Sequence, residues 1–254
     1  MRARSRLRGP GTRRTVRAMP SHESSGLHGR VPAAANAALR AELVDHARRL
    51  RPLGLATGTS GNLSVRVPGG MLITPSGVDY DALRPEDLVT VAEDGTWEHA
   101  LAPSSEWRMH RAIYQARPQA GAVVHGHPTY ATVLAIRRME IPPLHYMIAA
   151  AGGSTIRCAP YHTYGTEALS QAALQALADR KACLLANHGL LVFERDLPRA
   201  MWLAREVETL AQQYVMSLTL GGPVLLDEAE IARVVEKFAS YGLRPSSDTF
   251  DGER

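Results

Sequence analysis

Ala120-Gly121-Ala122-Val123-Val124-His125-Gly126-His127 runs from a short, apolar, partly β-branched segment straight into two histidines separated by one glycine. Such a segment reads as a buried strand, which sets both histidines at or just past its end. Side chains at i and i+2 of a strand point to the same side, so His125 and His127 can present two imidazoles to one ion, and Gly126 between them removes bulk. A second buried run, Ala182 to Ala186, delivers Asn187-His188-Gly189 and resumes as Leu190 to Phe193, again strand-like. His188 at that junction and Glu106 at the opening of a helix complete a set of three nitrogens and one carboxylate suited to Zn²⁺. His-x-His is common, however, and the pair also reads as two satisfied polar residues at a strand end; the spacing alone leaves both readings open.

Upstream, Leu39, Leu43, Ala47 and Leu50 fall on one helical face behind Asn36 as a cap, with a stop near Pro52-Leu53-Gly54. Thr57-Gly58-Thr59-Ser60-Gly61-Asn62 is a turn-rich loop. The alternation Leu63, Val65, Val67 predicts a half-buried strand that turns at Pro68-Gly69-Gly70 into a second, Met71 to Thr74. Asp87 to Ala92 predicts another short strand. Ser104-Ser105-Glu106 opens a helix with apolar positions Met109, Ala112, Ile113 and Ala116, ended by Pro118. Downstream, Thr166 to Leu177 and Pro198 to Leu218 carry helical periodicity. Asp227 with Glu230 makes a capping box for a last helix through Ile231, Val234, Val235 and Phe238.

The chain of 254 residues is 45% hydrophobic and 21% charged, an ordinary globular balance that excludes a disordered, collagenous or disulfide-stapled protein. No apolar run approaches the ~20 residues of a membrane helix. Two cysteines, Cys158 and Cys183, form no framework, in keeping with a reducing, cytoplasmic setting. The net charge of +4 does not point to nucleic acid. Seven arginines and no acidic residue lie within residues 1–18, which leaves −3 for the rest, so the basicity belongs to a tail. That tail is compatible with an RNA-binding arm or a transit peptide, and reads first as a disordered extension. The expected organisation is a basic extension over 1–30, one catalytic domain over 31–245 and a flexible tail over 246–254.

Ser60-Gly61-Asn62, Ser76-Gly77 and Ser104-Ser105 each offer hydroxyls or unencumbered N–H groups to an anion, the last pair at a helix N-terminus. Each is equally a plain turn or cap, and none is a P-loop or dinucleotide fingerprint. The other histidines, among them His110 and His162, carry no paired spacing and read as surface or core residues, with His145 held open.

The ordered set Gly58-Thr59-Ser60-Gly61-Asn62-Leu63-Ser64, Ile73-Thr74-Pro75-Ser76-Gly77, Pro103-Ser104-Ser105-Glu106, Val124-His125-Gly126-His127 and His188-Gly189 resembles the class II aldolases of the aldolase/adducin type. Ile141 to Gly153 and Cys158-Ala159-Pro160-Tyr161 look like its L-fuculose-1-phosphate aldolase branch. The resemblance runs from about Leu39 to Tyr241. It implies an α/β fold of three layers, α/β/α, around a mostly antiparallel sheet. It further implies one Zn²⁺ per subunit on His125, His127 and His188, with Glu106 as fourth ligand and catalytic acid/base. Ser60, Gly61, Asn62, Ser76, Gly77, Ser104 and Ser105 are then the phosphate cradle. Tyr146 resembles a tyrosine that reaches in from a neighbouring subunit and protonates the aldehyde-side oxygen, so that active sites lie at the subunit interfaces of a C4 homotetramer. Phe238 and Tyr241 match aromatic residues that help close the site, although their spacing also fits an ordinary amphipathic helix. The implied reaction is reversible cleavage of a ketose 1-phosphate, L-fuculose 1-phosphate first, to dihydroxyacetone phosphate and L-lactaldehyde.

Two positions depart from that branch. Tyr164 stands where it typically has a phenylalanine, and Asn187 where it often has a histidine. An added hydroxyl in the aldehyde pocket makes a 5-deoxyribulose- or methylthioribulose-1-phosphate aldolase the nearest rival. L-ribulose-5-phosphate 4-epimerase, whose motif has aspartate after the serines, ranks below both because Glu106 stands here. A Schiff-base aldolase would need a lysine in the pocket, and Lys181 and Lys237 lie in no such motif.

Overall fold

Strand β4 (Ala122–Gly126) lies at the centre of a seven-stranded sheet in a computed structural model that describes residues 33–240. The extension over 1–30, the tail over 246–254 and Tyr241 lie outside the described residues. The other strands are β1 (Asn62–Val67), β2 (Gly70–Ile73), β3 (Val89–Ala92), β5 (Cys158–Ala159), β6 (Ala182–Leu185) and β7 (Gly189–Glu194). Their order is β3-β2-β1-β4-β7-β6-β5, antiparallel throughout except for the parallel pair β5 and β6.

Both faces of this sheet are covered. Along β7, Leu190 and Val192 join an apolar cluster with Leu43 and Ala47 of helix α1 (Ala33–Arg49) and Leu203 and Val207 of α5 (Leu197–Thr219). Leu191 and Phe193 point the other way, into a cluster with Met109 and Ile113 of α2 (Trp107–Ala116) and Leu169 and Ala173 of α4 (Glu167–Ala176). The period of two along each strand therefore feeds two helical layers, giving the expected α/β/α sandwich. Helices α3 (Thr129–Ile136) and α6 (Glu228–Ser240) pack on the α1/α5 side. Glu208 of α5 accepts the N–H groups of Tyr130 and Ala131, tying the segment just past His127 to that layer.

Local details differ from the sequence reading for identifiable reasons. Helix α1 begins at Ala33, upstream of Asn36, because the alanines extend it, and the Asn36 side chain accepts a hydrogen bond from Arg40 Nε at 3.1 Å. Strand β1 is not half-buried: Asn62 and Ser64 are buried along with Leu63 and Val65. The segment before β3 is a 3₁₀ turn, Pro85–Asp87, with the Asp87 carboxylate accepting Arg84 N–H at 2.9 Å. At α6 the Asp227 carboxylate accepts Glu230 N–H at 2.7 Å, but Glu230 pairs with Arg233 and leaves the capping box one-sided.

Candidate metal centre and active site

Three turns bring the site together. The parity of β4 sends Val123 and His125 to the α2 side of the sheet, with His127 one step beyond the strand end. Asn187 makes the tight turn from β6 into β7 at φ 54°, a conformation asparagine tolerates, and so delivers His188. Glu106 is the cap residue of α2, buried against both histidines. Gly126 and Gly189 are required by close approach: a Cβ at 126 would sit 2.4 Å from the Leu55 carbonyl oxygen, and one at 189 would sit 2.3 Å from that of Gly126. The bulk-free spacer expected at Gly126 thus lets β4 pass against Leu55, whose carbonyl accepts His127 N–H at 2.9 Å.

The three rings face one another with centroids 4.8 to 5.0 Å apart, and one ligand atom from each lies within 4.8 Å of the others. His125 Nδ1 donates to the Leu190 carbonyl at 2.8 Å, which orients the ring and turns Nε2 inward. Nε2 of His125 is 3.0 Å from His127 Nε2 and 3.0 Å from Glu106 Oε2, while His188 Nε2 is 3.4 Å from Glu106 Oε1. Burial opposes ionisation of Glu106, but His125, His188 and Asn62 outweigh it and hold its carboxyl well below the usual range. Burial likewise opposes a charge on His125, and Glu106 more than offsets that, so its pKa is raised. Burial and the positive neighbour His125 push His127 and His188 down to about 4, so both keep free lone pairs at neutral pH.

These residues fit a metal ion. Three borderline-soft nitrogens and a hard carboxylate converge on one point, and Glu106 Oε1 is a buried oxygen with no hydrogen-bond partner, the kind of orphan a cation satisfies.

Beside the centre opens a cavity of about 360 Å³ lined by Glu106, His127 and His188 and by every residue expected in the phosphate cradle: Ser60, Gly61, Asn62, Ser76, Gly77, Ser104 and Ser105. Arg51 Nε donates to the Gly58 carbonyl at 2.9 Å and Tyr80 Oη to that of Gly61 at 2.6 Å, fixing the first loop. Burial pushes the Tyr80 phenol up to about 12, so it remains a donor. Ser76 N–H on the Ala102 carbonyl and Ser104 N–H on that of Thr74, both at 3.0 Å, set the other two turns side by side. Among the described residues no lysine or arginine lines the cavity, where hydroxyls, N–H groups and the α2 N-terminus face an anion.

Not every expected residue sits alike. The Asn62 side chain is committed to Glu106 and His110 at its two ends. Tyr146 is half exposed on a 3₁₀ turn, Tyr146–Ala151, capped by His145, and does not line the cavity of its own chain. Tyr164 does line it, as do Tyr161 and His162. The sequence alone gives His162 no paired spacing, although it stands three residues past the end of β5 as His188 stands three past the end of β6. Lys181 is paired with Glu194 at 2.6 Å and is no part of the cavity wall.

A family model for the class II aldolase and adducin N-terminal domain matches residues 41–215. The chain belongs to the class II aldolase/adducin family. It is 50% identical over 207 residues to the L-fuculose phosphate aldolase of Escherichia coli K12, a span covering 81% of this chain and 96% of that protein. It is 51% identical over 205 residues to a 5-methylthioribulose-1-phosphate/5-deoxyribulose-1-phosphate aldolase of Rhodospirillum rubrum, covering 81% and 93%. A solved L-fuculose 1-phosphate aldolase superposes with a TM-score of 0.78 at 40% identity, covering 84% of this chain and all of that one. No helix among the described residues is long and apolar enough to cross a membrane.

Proposed function

We propose that the protein is a zinc-dependent, cytoplasmic aldolase that reversibly cleaves L-fuculose 1-phosphate to dihydroxyacetone phosphate and L-lactaldehyde. The observation that carries this reading is the Glu106 carboxylate, held between His125 and His188 in the wall of a cavity that three small-residue turns also line.

His125, His127 and His188, with Glu106 as fourth ligand, would hold Zn²⁺, which would supply a Lewis acid for the carbonyl and hydroxyl oxygens of the substrate. The cradle from Ser60 to Ser105 holds the phosphate and fixes the chain of the ketose relative to Glu106. In cleavage the C3–C4 bond breaks and its electron pair stays with the C3 fragment. Glu106 delivers a proton to C3, and in condensation takes it back. Tyr146 of the partner subunit exchanges the proton of the aldehyde-side oxygen, which places the sites at the interfaces of a C4 homotetramer. Its own position supports this, since Tyr146 is exposed and lies off the cavity of its own chain.

A second reading, cleavage of 5-methylthioribulose or 5-deoxyribulose 1-phosphate, is favoured by the phenol of Tyr164 at the cavity wall and by the Rhodospirillum rubrum relative. A coupled assay for dihydroxyacetone phosphate release from L-fuculose, L-ribulose and 5-methylthioribulose 1-phosphates, before and after chelation, tests both. Chelator-sensitive release is expected, with L-fuculose 1-phosphate giving the highest kcat/KM. Glu106→Gln is expected to abolish turnover while metal content persists, and His127→Ala to lose both. Full activity in either variant would sink the mechanism.

A further inference from the structure

Behind Glu106 runs a line of buried side chains that the reaction as described does not use. Tyr114 Oη lies 2.8 Å from Ser64 Oγ, Ser64 Oγ 2.7 Å from His110 Nδ1, His110 Nε2 2.6 Å from Asn62 Oδ1, and Asn62 Nδ2 3.1 Å from Glu106 Oε2. Asn62 and Ser64 share one face of β1, and Glu106, His110 and Tyr114 recur every fourth residue along α2, so sheet and helix close on each other like a zipper. The seam runs through an otherwise apolar layer of Met109, Ile113 and Val123.

The chemistry of each group sets the direction of every bond. A carboxylate only accepts, so Asn62 presents its amide N–H to Glu106 and its oxygen to His110. That oxygen only accepts, so His110 carries its proton on Nε2. Burial holds His110 down to about 3 and the ring is neutral, which leaves Nδ1 to accept the Ser64 hydroxyl proton. Ser64 then accepts from Tyr114, whose phenol burial keeps protonated. All four donors point toward Glu106.

We infer that His110 is a positioning residue for the reaction: backed by Ser64 and Tyr114, it locks Asn62 with its N–H on Glu106 Oε2, leaving Oε1 as the carboxylate oxygen that works on substrate. Oε1 is the buried oxygen of that carboxylate with no hydrogen bond. Without the lock the Asn62 amide can turn over, and the carboxylate loses its fixed rotamer at a site where small misplacement is costly.

The inference rests on the aldolase reading, and the test separates the two. With full-length, metal-loaded protein, exchange of the C3 hydrogen of dihydroxyacetone phosphate with D₂O, followed by NMR, reads the Glu106 step without aldehyde or Tyr146. For His110→Phe, exchange and kcat are expected to fall on the order of 10²-fold, with KM and bound metal close to wild type. His110→Gln, which restores an N–H for Asn62, should recover most of the loss. Ser64→Ala and Tyr114→Phe should show smaller losses in that order, and they carry the test if His110→Phe fails to fold. Undiminished exchange in these variants, with exchange intact in the wild type, would overturn the inference alone. So would a joint loss of metal, KM and kcat that His110→Gln does not rescue. A metal-loaded wild type that exchanges no hydrogen would overturn the aldolase reading and the inference with it.

Discussion

Burial, with a smaller contribution from His125, takes the pKa of His110 from its ordinary 6.5 down to about 3. The sign of the consequence follows from proton uptake. Below pH 6.5 the unfolded chain binds a proton at this ring and the folded protein does not, so stability present above 6.5 is lost as pH falls toward about 3. Between about pH 7 and about pH 5 the loss from this one residue amounts to about 2 kcal/mol. Urea unfolding of the wild type and of His110→Gln at those two pH values measures it. The wild type is expected to lose that much more than the variant, and equal losses would mean that His110 is protonated within the folded protein. Glu106 has the opposite character, an acid kept ionised although buried, and the two states depend on each other. A cationic His110 would place two N–H donors where one lone pair is needed by Ser64 and would break the line of donors that ends on Glu106.

At the scale of elements, the site depends on how closely β4 passes the chain at Leu55. A methyl group on residue 126 would meet the Leu55 carbonyl oxygen at 2.4 Å, and backbone cannot swing aside as a long side chain can. Gly126→Ala is expected to cost about 1–3 kcal/mol and to displace His125 and His127 enough to lower bound metal. Denaturant unfolding with metal analysis of the purified variant checks both, and a stable, fully metallated variant would refute the packing argument. The same passage shows what was legible from sequence. His125, Gly126 and His127 could be read because strand parity is local, and the β1–β2 hairpin because Pro68-Gly69-Gly70 punctuates a period of two. The burial of Asn62 and Ser64 was not, since their partners on α2 lie more than forty residues away and polar residues in a strand read as solvent-facing until that layer is known. Strand β5 spans two residues and takes its place from pairing with β6, and Tyr146–Ala151 is an apolar run without a helical period. The cavity wall from Ser60 to Ser105 was legible only as three separate turns. The meeting of the last two depends on the bridge between Pro75 and Pro103 and on the hydrogen bonds of Ser76 and Ser104 across it.

At the scale of the whole molecule, the proposed function has a neighbouring chain complete the site. Tyr161, His162 and Tyr164 line the cavity of their own chain, whereas the proposed function assigns the proton of the aldehyde oxygen to Tyr146 of a neighbouring chain. Tyr146 is presented outward, 51% exposed and tilted by 33° against the ring of His145 with centroids 4.7 Å apart. His145 Nδ1 accepts Met147 N–H at 3.2 Å, so the turn that carries the phenol is capped as it stands. If the site is completed across an interface, damage to Glu106 and damage to Tyr146 need not fall on the same site. Glu106→Gln and Tyr146→Phe are each expected to be strongly impaired as pure oligomers. When they are mixed in equal amounts and allowed to exchange subunits, a site regains both groups wherever a Tyr146→Phe chain supplies Glu106 and its neighbour supplies Tyr146. In a closed ring with random placement that holds for about a quarter of sites. Recovery to about a quarter of wild-type kcat, with subunit exchange verified by native mass spectrometry, is the expected result. Exchanged hybrids that stay as inactive as their parents would show that Tyr146 does not act across an interface.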